Sequence, residues 1–253
     1  MTKTTLPTPP KTGKANRRVR PSPNNSSIAQ VRQIEQHTQL RTNVAASSMI
    51  RSIIPDKYHC TLKYCSSKQY TTGTGGIVGT TNTFRLNGLY DPDTTGVGHQ
   101  PYGFDQITPF FSSYTVRKVW IAITVTGVDD SSTFLAWMVQ PQSSTTTLAS
   151  TTLEQVSEYD EMNFVMLGQS TSGVPNQQVT LPPIDLPKLE GLSWQAYYGN
   201  SNYRGLVATN PAQGSQFVVG IGNAAGTVSK VATLTIEIFF DAYFEGRKSL
   251  PQS

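Results

Sequence analysis

The chain has little of what most enzymes, secreted modules and membrane proteins need. It has 253 residues, of which 14% are charged and two are cysteine. Cys60 and Cys65 lie five apart in one extended segment. They therefore point to opposite faces, about 16 Å apart along it, and cannot bridge each other. They read as free buried thiols of a reducing compartment. No apolar run approaches the eighteen residues of a membrane-spanning helix. Met1 leads into sequence rich in Pro, Thr and Lys without an apolar h-region, so neither a signal peptide nor a membrane partner is expected. The three histidines, His37, His59 and His99, form no His-x-His pair, and no Gly-x-Ser-x-Gly elbow occurs. Zinc and serine-nucleophile chemistry lack their parts, and the chain is expected to be no enzyme and to hold no cofactor or metal. Glu154, Glu158, Asp160 and Glu161 cluster as glycosidase carboxylates do, but they fall in and after a polar helix, where a solvated face is the ordinary reading.

Acid is almost missing from the first 55 residues. Nine bases stand there, Lys3, Lys11, Lys14, Arg17, Arg18, Arg20, Arg32, Arg41 and Arg51, against Glu35 alone, a net of +8. The other eleven bases face fifteen acids over 56–253, a net of −4. A basic segment set before a mildly acidic one reads as an arm for a polyanion. Residues 1 to about 27 are also too poor in bulky apolar groups to offset the entropy of ordering, so this arm is expected to be largely disordered. The division expected is an arm and linker over 1–55 and one folded domain over 56–253. The nine bases are the candidate nucleic-acid-binding residues. The cluster from Lys14 to Arg20 also reads as a nuclear localisation signal.

What remains is rich in Thr, Ser, Gly, Asn, Gln and Pro, a composition of short strands and turns. Period-two alternation begins after Pro55, with Tyr58, Cys60, Leu62 and Tyr64 on one face and His59, Thr61, Lys63 and Cys65 on the other. Further strands are expected at Thr83–Tyr90, Tyr114–Val128, Thr133–Gln140, Asn163–Leu167, Gln177–Ile184, Ser215–Ile221 and Val231–Phe244. Val119, Ile121, Ile123 and Val125 alternate with polar residues, as do Leu234, Ile236, Ile238 and Phe240. Each long strand thus has a core face and a wet face. Two short connecting helices are expected, over Gly103–Ser113 and over Leu148–Tyr159 with Thr151 or Thr152 as N-cap. No repeat or heptad appears. The fold class expected is all-β: an eight-stranded antiparallel jelly-roll sandwich of two four-stranded sheets.

One stretch narrows the function. Phe84-Arg85-Leu86-Asn87-Gly88-Leu89-Tyr90-Asp91-Pro92-Asp93-Thr94-Thr95-Gly96-Val97-Gly98-His99-Gln100-Pro101-Tyr102-Gly103-Phe104-Asp105-Gln106 resembles the strand, loop and helix of capsid proteins from small circular single-stranded DNA viruses that encode a replication initiator, and from related plant RNA viruses with single jelly-roll shells. The resemblance extends with less specificity through Tyr114-Thr115-Val116, Ile184–Gly191 and Val231–Phe244. It implies a coat protein of the virion that assembles with copies of itself, about sixty in the simplest icosahedral shell, and packages single-stranded DNA through the arm. It also implies that Asp91, Asp93, His99 and Gln100 lie at subunit contacts. The chain stops nine residues past Phe244, so no protruding second domain is expected, which favours the DNA-virus group. Two other readings share the fold: the coat protein of a small single-stranded RNA virus, and a soluble binding module of the trimeric cytokine or lectin kind.

Other features have plainer readings. Asp91-Pro92-Asp93 is a turn by its chemistry alone. Asp56, Asp91, Asp93, Asp129 and Asp130 could offer oxygens to Ca²⁺ but match no calcium-loop spacing, and solvated turns are expected. Trp120 and Trp137, in apolar strands, are expected to pack in a core or between subunits rather than to stack bases. Tyr197–Tyr203 reads as an exposed polar loop.

Overall fold

The structure is a computed structural model and describes residues 54–169, 177–226 and 228–249. Its strands are β1 (Lys57–Thr71), β2 (Val78–Arg85), β3 (Phe111–Thr126), β4 (Thr133–Gln140), β5 (Met162–Met166), β6 (Gln177–Thr180), β7 (Ile184–Asp185), β8 (Gly205–Leu206), β9 (Gln216–Asn223) and β10 (Val231–Arg247). Short helices are α1 (Phe104–Ile107), α2 (Leu153–Glu158), α3 (Leu186–Leu189) and α4 (Trp194–Gly199).

One sheet runs β1-β10-β3-β6, with β7 and β8 also on β3; the other runs β2-β9-β4-β5. All pairings are antiparallel. The eight principal strands thus pair in a nest, first with last, second with next to last, and so inward to β4 with β5. This is the jelly roll. The alternation seen in the sequence explains the layers: in β10 every even-numbered residue from Ala232 to Phe244 is buried, and its neighbours are half-buried or exposed. Val119, Ile121, Ile123 and Val125 stand beside them on β3, and Phe217, Val219 and Ile221 face them from β9.

The second sheet is covered on its outer side too. The connection 141–161 folds back over it, and Val78, Phe134, Ala136, Met138, Leu148, Val156, Met162 and Val218 form a separate buried cluster there. Thr152 caps α2 with a reciprocal box: its hydroxyl accepts from Gln155 N, and the Gln155 side chain accepts from Thr152 N. The cap is therefore Thr152, not Thr151, which is buried.

Several expected bounds shift. β1 continues to Thr71, β2 occupies Val78–Arg85 instead of Thr83–Tyr90, and the first helix is a single turn because Phe111–Ser113 already belong to β3. Tyr197–Tyr203 is not an exposed loop: Tyr197 and Tyr203 are buried and stacked on each other, with ring centroids 4.5 Å apart. Ser193 caps α4 there by accepting from Ala196 N. The cysteines are free and half-buried rather than buried. Burial, with Asp241 nearby, pushes the Cys60 thiol up to about 11, so it holds little thiolate at neutral pH.

Gly222 leaves room for the ring of Phe134, its register partner on β4, to lie across β9. A Cβ there would lie 2.2 Å from Cζ of the buried Phe134. Gly222→Val should therefore lower stability by about 1–3 kcal/mol through overpacking, read as a fall in the urea midpoint followed by far-ultraviolet circular dichroism. An unchanged midpoint would mean that the outer cluster yields freely.

Candidate functional site

The segment from Leu86 to Gln106 joins β2 to α1 and carries the distinctive motif. Its first four residues, Leu86, Asn87, Gly88 and Leu89, are buried. They are pinned by the Tyr114 hydroxyl, which accepts from Leu89 N at 3.1 Å and Tyr90 N at 3.3 Å and donates to Thr209 O at 3.3 Å. The chain then doubles back along β2. Arg85 N donates to Pro92 O and Thr94 N to Thr83 O, so Asp93 stands opposite Phe84 as an added bridge. Further on, Tyr102 bridges to Lys63 of β1 in the same way. One loop thus bridges once to the edge strand of each sheet at that side of the sandwich.

Asp93 is the hub of the loop. Its side chain is fully buried, bridged by Lys68 Nζ, and accepts from Thr95 N at 3.0 Å and the Thr95 hydroxyl at 2.8 Å. Burial pushes its carboxyl pKa up, but the Lys68 ammonium and the two Thr95 donors outweigh that and hold it below the usual range. Gly98 passes close by: a Cβ there would lie 2.8 Å from Asp93 Cβ and 3.1 Å from the Tyr64 hydroxyl. His99 follows and stacks on Tyr64 at 4.7 Å.

Asp91 serves the same structure from the outside. Its N–H donates to Asn210 Oδ1 at 3.0 Å, its carbonyl accepts from Arg85 at 2.9 Å, and its carboxylate lies 3.6 Å from that guanidinium. The four residues expected at subunit contacts therefore divide. Asp93 holds the loop from within and presents no surface, which also removes it from the solvated turns. Asp91 is half-buried, whereas His99 is exposed and Gln100 half-exposed beside an open concavity of about 530 Å³ that runs from His99 to Gln106. The nine bases of the arm lie outside the described residues.

Sequence reasoning missed the most exposed apolar groups of the loop, Val97 at 82% and Tyr102 at 90%. Val97 between Gly96 and Gly98 was the available signal. It also missed Lys68, whose place in a core-facing row was the clue to a buried partner. Three of the remaining acids serve locally: Asp56 lies 3.3 Å from Arg247, Asp130 accepts from Ser132, and Glu161 accepts from Ser144. Among the described residues no group of three or more His, Cys, Asp or Glu side chains is placed to hold a metal ion.

No family model matches the chain, and no curated protein does. Solved structures do. A chain from Cocksfoot mottle virus matches at 9% identity and a TM-score of 0.45, over 77% of this chain and 97% of that one. A chain from turnip yellow mosaic virus matches at 11% identity and 0.35, over 78% and 99%. A BFDV capsid protein, solved as a decamer, matches at 16% identity and 0.35, over 73% and 98%. The jelly-roll assignment rests on the strand order described above.

Asp93 gives the loop a defined acid sensitivity. Its folded pKa lies below the free value of about 3.9, so its contribution to stability is complete above that value and is lost as pH falls toward the folded pKa. Hydrogen-exchange protection of Thr94–Gly98 should accordingly drop as the pH falls below about 4, before the sheets open. Lys68→Met should cost about 1–3 kcal/mol, less than a wholly buried pair because the two Thr95 donors remain. Equal protection at both ends of the pH range would show that Asp93 does not anchor the loop.

Proposed function

We propose that the chain is a non-enzymatic coat protein whose copies assemble into a small closed shell around nucleic acid. The observation that carries this reading is the segregation of charge. A jelly roll with net −4 follows a segment with net +8, and the nine bases of that segment stand almost without acid. A domain that bound polyanions through its folded surface would place its bases there. Here they are set apart as an arm of about fifty residues. Sixty copies would bring on the order of 480 positive charges to one interior, enough to neutralise a like number of phosphates with release of their counterions. Binding of that kind is independent of sequence and weakens with salt.

The loop supports the same reading. It is held rigidly by Asp93, Tyr114 and Asn210 and still exposes Val97 and Tyr102, a cost in apolar exposure that a contact with another copy would remove. Copies meeting under closed symmetry need such fixed, repeated surfaces. The proposed contacts are Asp91, His99 and Gln100 together with Val97 and Tyr102. The loop motif favours single-stranded DNA as the packaged genome, with the host nucleus as a site of assembly through Lys14–Arg20.

Expression of the full chain, size exclusion with absorbance at 260 and 280 nm, and negative-stain microscopy should give uniform spheres with excess 260 nm absorbance. A nucleic-acid-free trimer over a range of salt and pH would instead favour the soluble binding module. Replacing Lys14, Arg17, Arg18 and Arg20 with Ala should reduce packaged nucleic acid several-fold while leaving the folded domain intact. Unchanged packaging would show that the arm is not the packaging element.

A further inference from the structure

The outward face of the first sheet does not carry the polar residues that its alternation calls for. Its wet positions on β10 include Phe239 and Tyr243, and on β3 they include Trp120. In register, Lys63, Phe239 and Trp120 sit side by side across β1, β10 and β3, and Lys63 Nζ lies over the Phe239 ring at 5.3 Å. Four residues along the same face, about 13 Å away, His59 and Tyr243 stack at 4.4 Å. The cluster continues through Trp194 of α4, 5.4 Å from Tyr243, to Tyr198, 5.0 Å from Trp194.

Cations lie over these rings. Lys57 Nζ stands 4.8 Å from the Tyr198 centroid, and the Arg117 guanidinium 5.2 Å from that of Trp194. Arg117 is there because β3 is bulged. Asp241 pairs with Lys118 and Ala242 with Val116, which leaves Arg117 as the extra residue. The burial pattern around it runs buried, half-buried, half-buried, buried from Val116 to Val119, so Arg117 and Lys118 share the outer side. Of the acids on this face, Glu237 is engaged by Lys63, Asp241 by the His59 ring and Glu245 by Arg204, while Asp185, in register beside Lys118, accepts from Lys188 N. Lys57, Arg117 and Lys118 form no ion pair among the described residues.

We infer that this face of the first sheet is a second nucleic-acid site, where unpaired bases of a single strand stack on Phe239 and Trp120 and on Tyr243 and Trp194 while Arg117, Lys118 and Lys57 contact the intervening phosphates. Lys63 lies over Phe239, His59 is stacked on Tyr243 and Arg117 lies over Trp194, so an incoming base takes the place of these side chains on the ring faces, and sheets that bind single strands offer ring faces in this way. A duplex hides its base faces and would gain only the phosphate contacts. With about three phosphates engaged, the salt dependence is shallow, roughly a second-power loss of affinity with salt, against a much steeper one for the arm. The two sites therefore separate by ionic strength. The inference draws on the coat reading only for the source of the strand.

The test uses the full chain at about 0.5 M salt, where arm binding is weakened, with fluorescent oligothymidylate and oligouridylate of about twenty nucleotides. Quenching of tryptophan fluorescence and ultraviolet cross-links to peptides holding Trp120, Phe239 or Tyr243 are expected. The pair Phe239→Leu and Trp120→Leu should lose about tenfold or more in affinity, with Phe239→Tyr retaining most of it and circular dichroism confirming the fold of each. Preference for one probe over the other tells DNA from RNA as the strand. Equal affinity of the Leu pair and the unaltered chain, or cross-links confined to residues 1–55, would overturn the site; so would a Leu pair that keeps affinity but no longer forms particles, which would make the face a contact between copies. Particle formation is scored separately: particles with no effect of the Leu pair would sink this site and leave the coat reading standing, and the reverse result would do the opposite.

Discussion

Among the described strands, β10 pairs with both β1 and β3, and those two do not pair with each other. The first sheet therefore has no centre until its last strand is in place. The continuous register from Lys57 opposite Glu245 to Thr71 opposite Val231 closes the longest loop in the fold, and that closure costs entropy before any contact repays it. The repayment comes from the even-numbered side chains of β10, Ala232 through Phe244, which the second sheet covers. The nested pairing of the other strands follows once the outermost pair is fixed, because each inner pair lies within the loop left by the one outside it. Stability and topology thus depend on the same strand, and the aromatic outer face described above is carried by it as well.

Much of this was legible in the sequence, and the parts that were not share a cause. The alternation of β3 and β10 was plain because one set of alternate positions is apolar throughout, Val119 to Val125 and Leu234 to Phe240, even where Trp120, Phe239 and Tyr243 break the polar set. The alternation of β1 is plain only as far as Cys65, because polar Ser66 and Lys68 stand next in the core-facing row. They are tolerated because Asp93, brought back by the loop, gives the Lys68 ammonium a partner. Likewise Leu86 to Leu89 looked like strand and are buried, but their backbone is satisfied by Tyr114 and by Ser215 instead of by a ladder. A single sequence shows neither partner, since both lie far along the chain.

The short helices after β7 show a related limit. Asp185 and Ser193 are good caps, but each opens a helix of six residues or fewer, too short to show a periodic face. Tyr197 and Tyr203 then look like surface aromatics in a polar stretch. They are buried because α4 folds them onto each other. The pair Arg117-Lys118, by contrast, was readable: two polar residues in succession inside an alternating strand are the mark of a bulge.

The loop that lies along β2 through Asp93 and along β1 through Tyr102 has a further consequence. Backbone edges join indiscriminately and without limit, since each added strand offers a new edge to the next. Subunits crowded together by a shared polymer would be driven toward ribbons by such edges. By placing its own main chain along part of both, the loop shortens those edges, so that copies meeting there, under the coat reading proposed above, would recognise each other largely through side chains. Side-chain contacts fix an angle as well as a partner, and it is a fixed angle, repeated, that makes a surface curve until it meets itself.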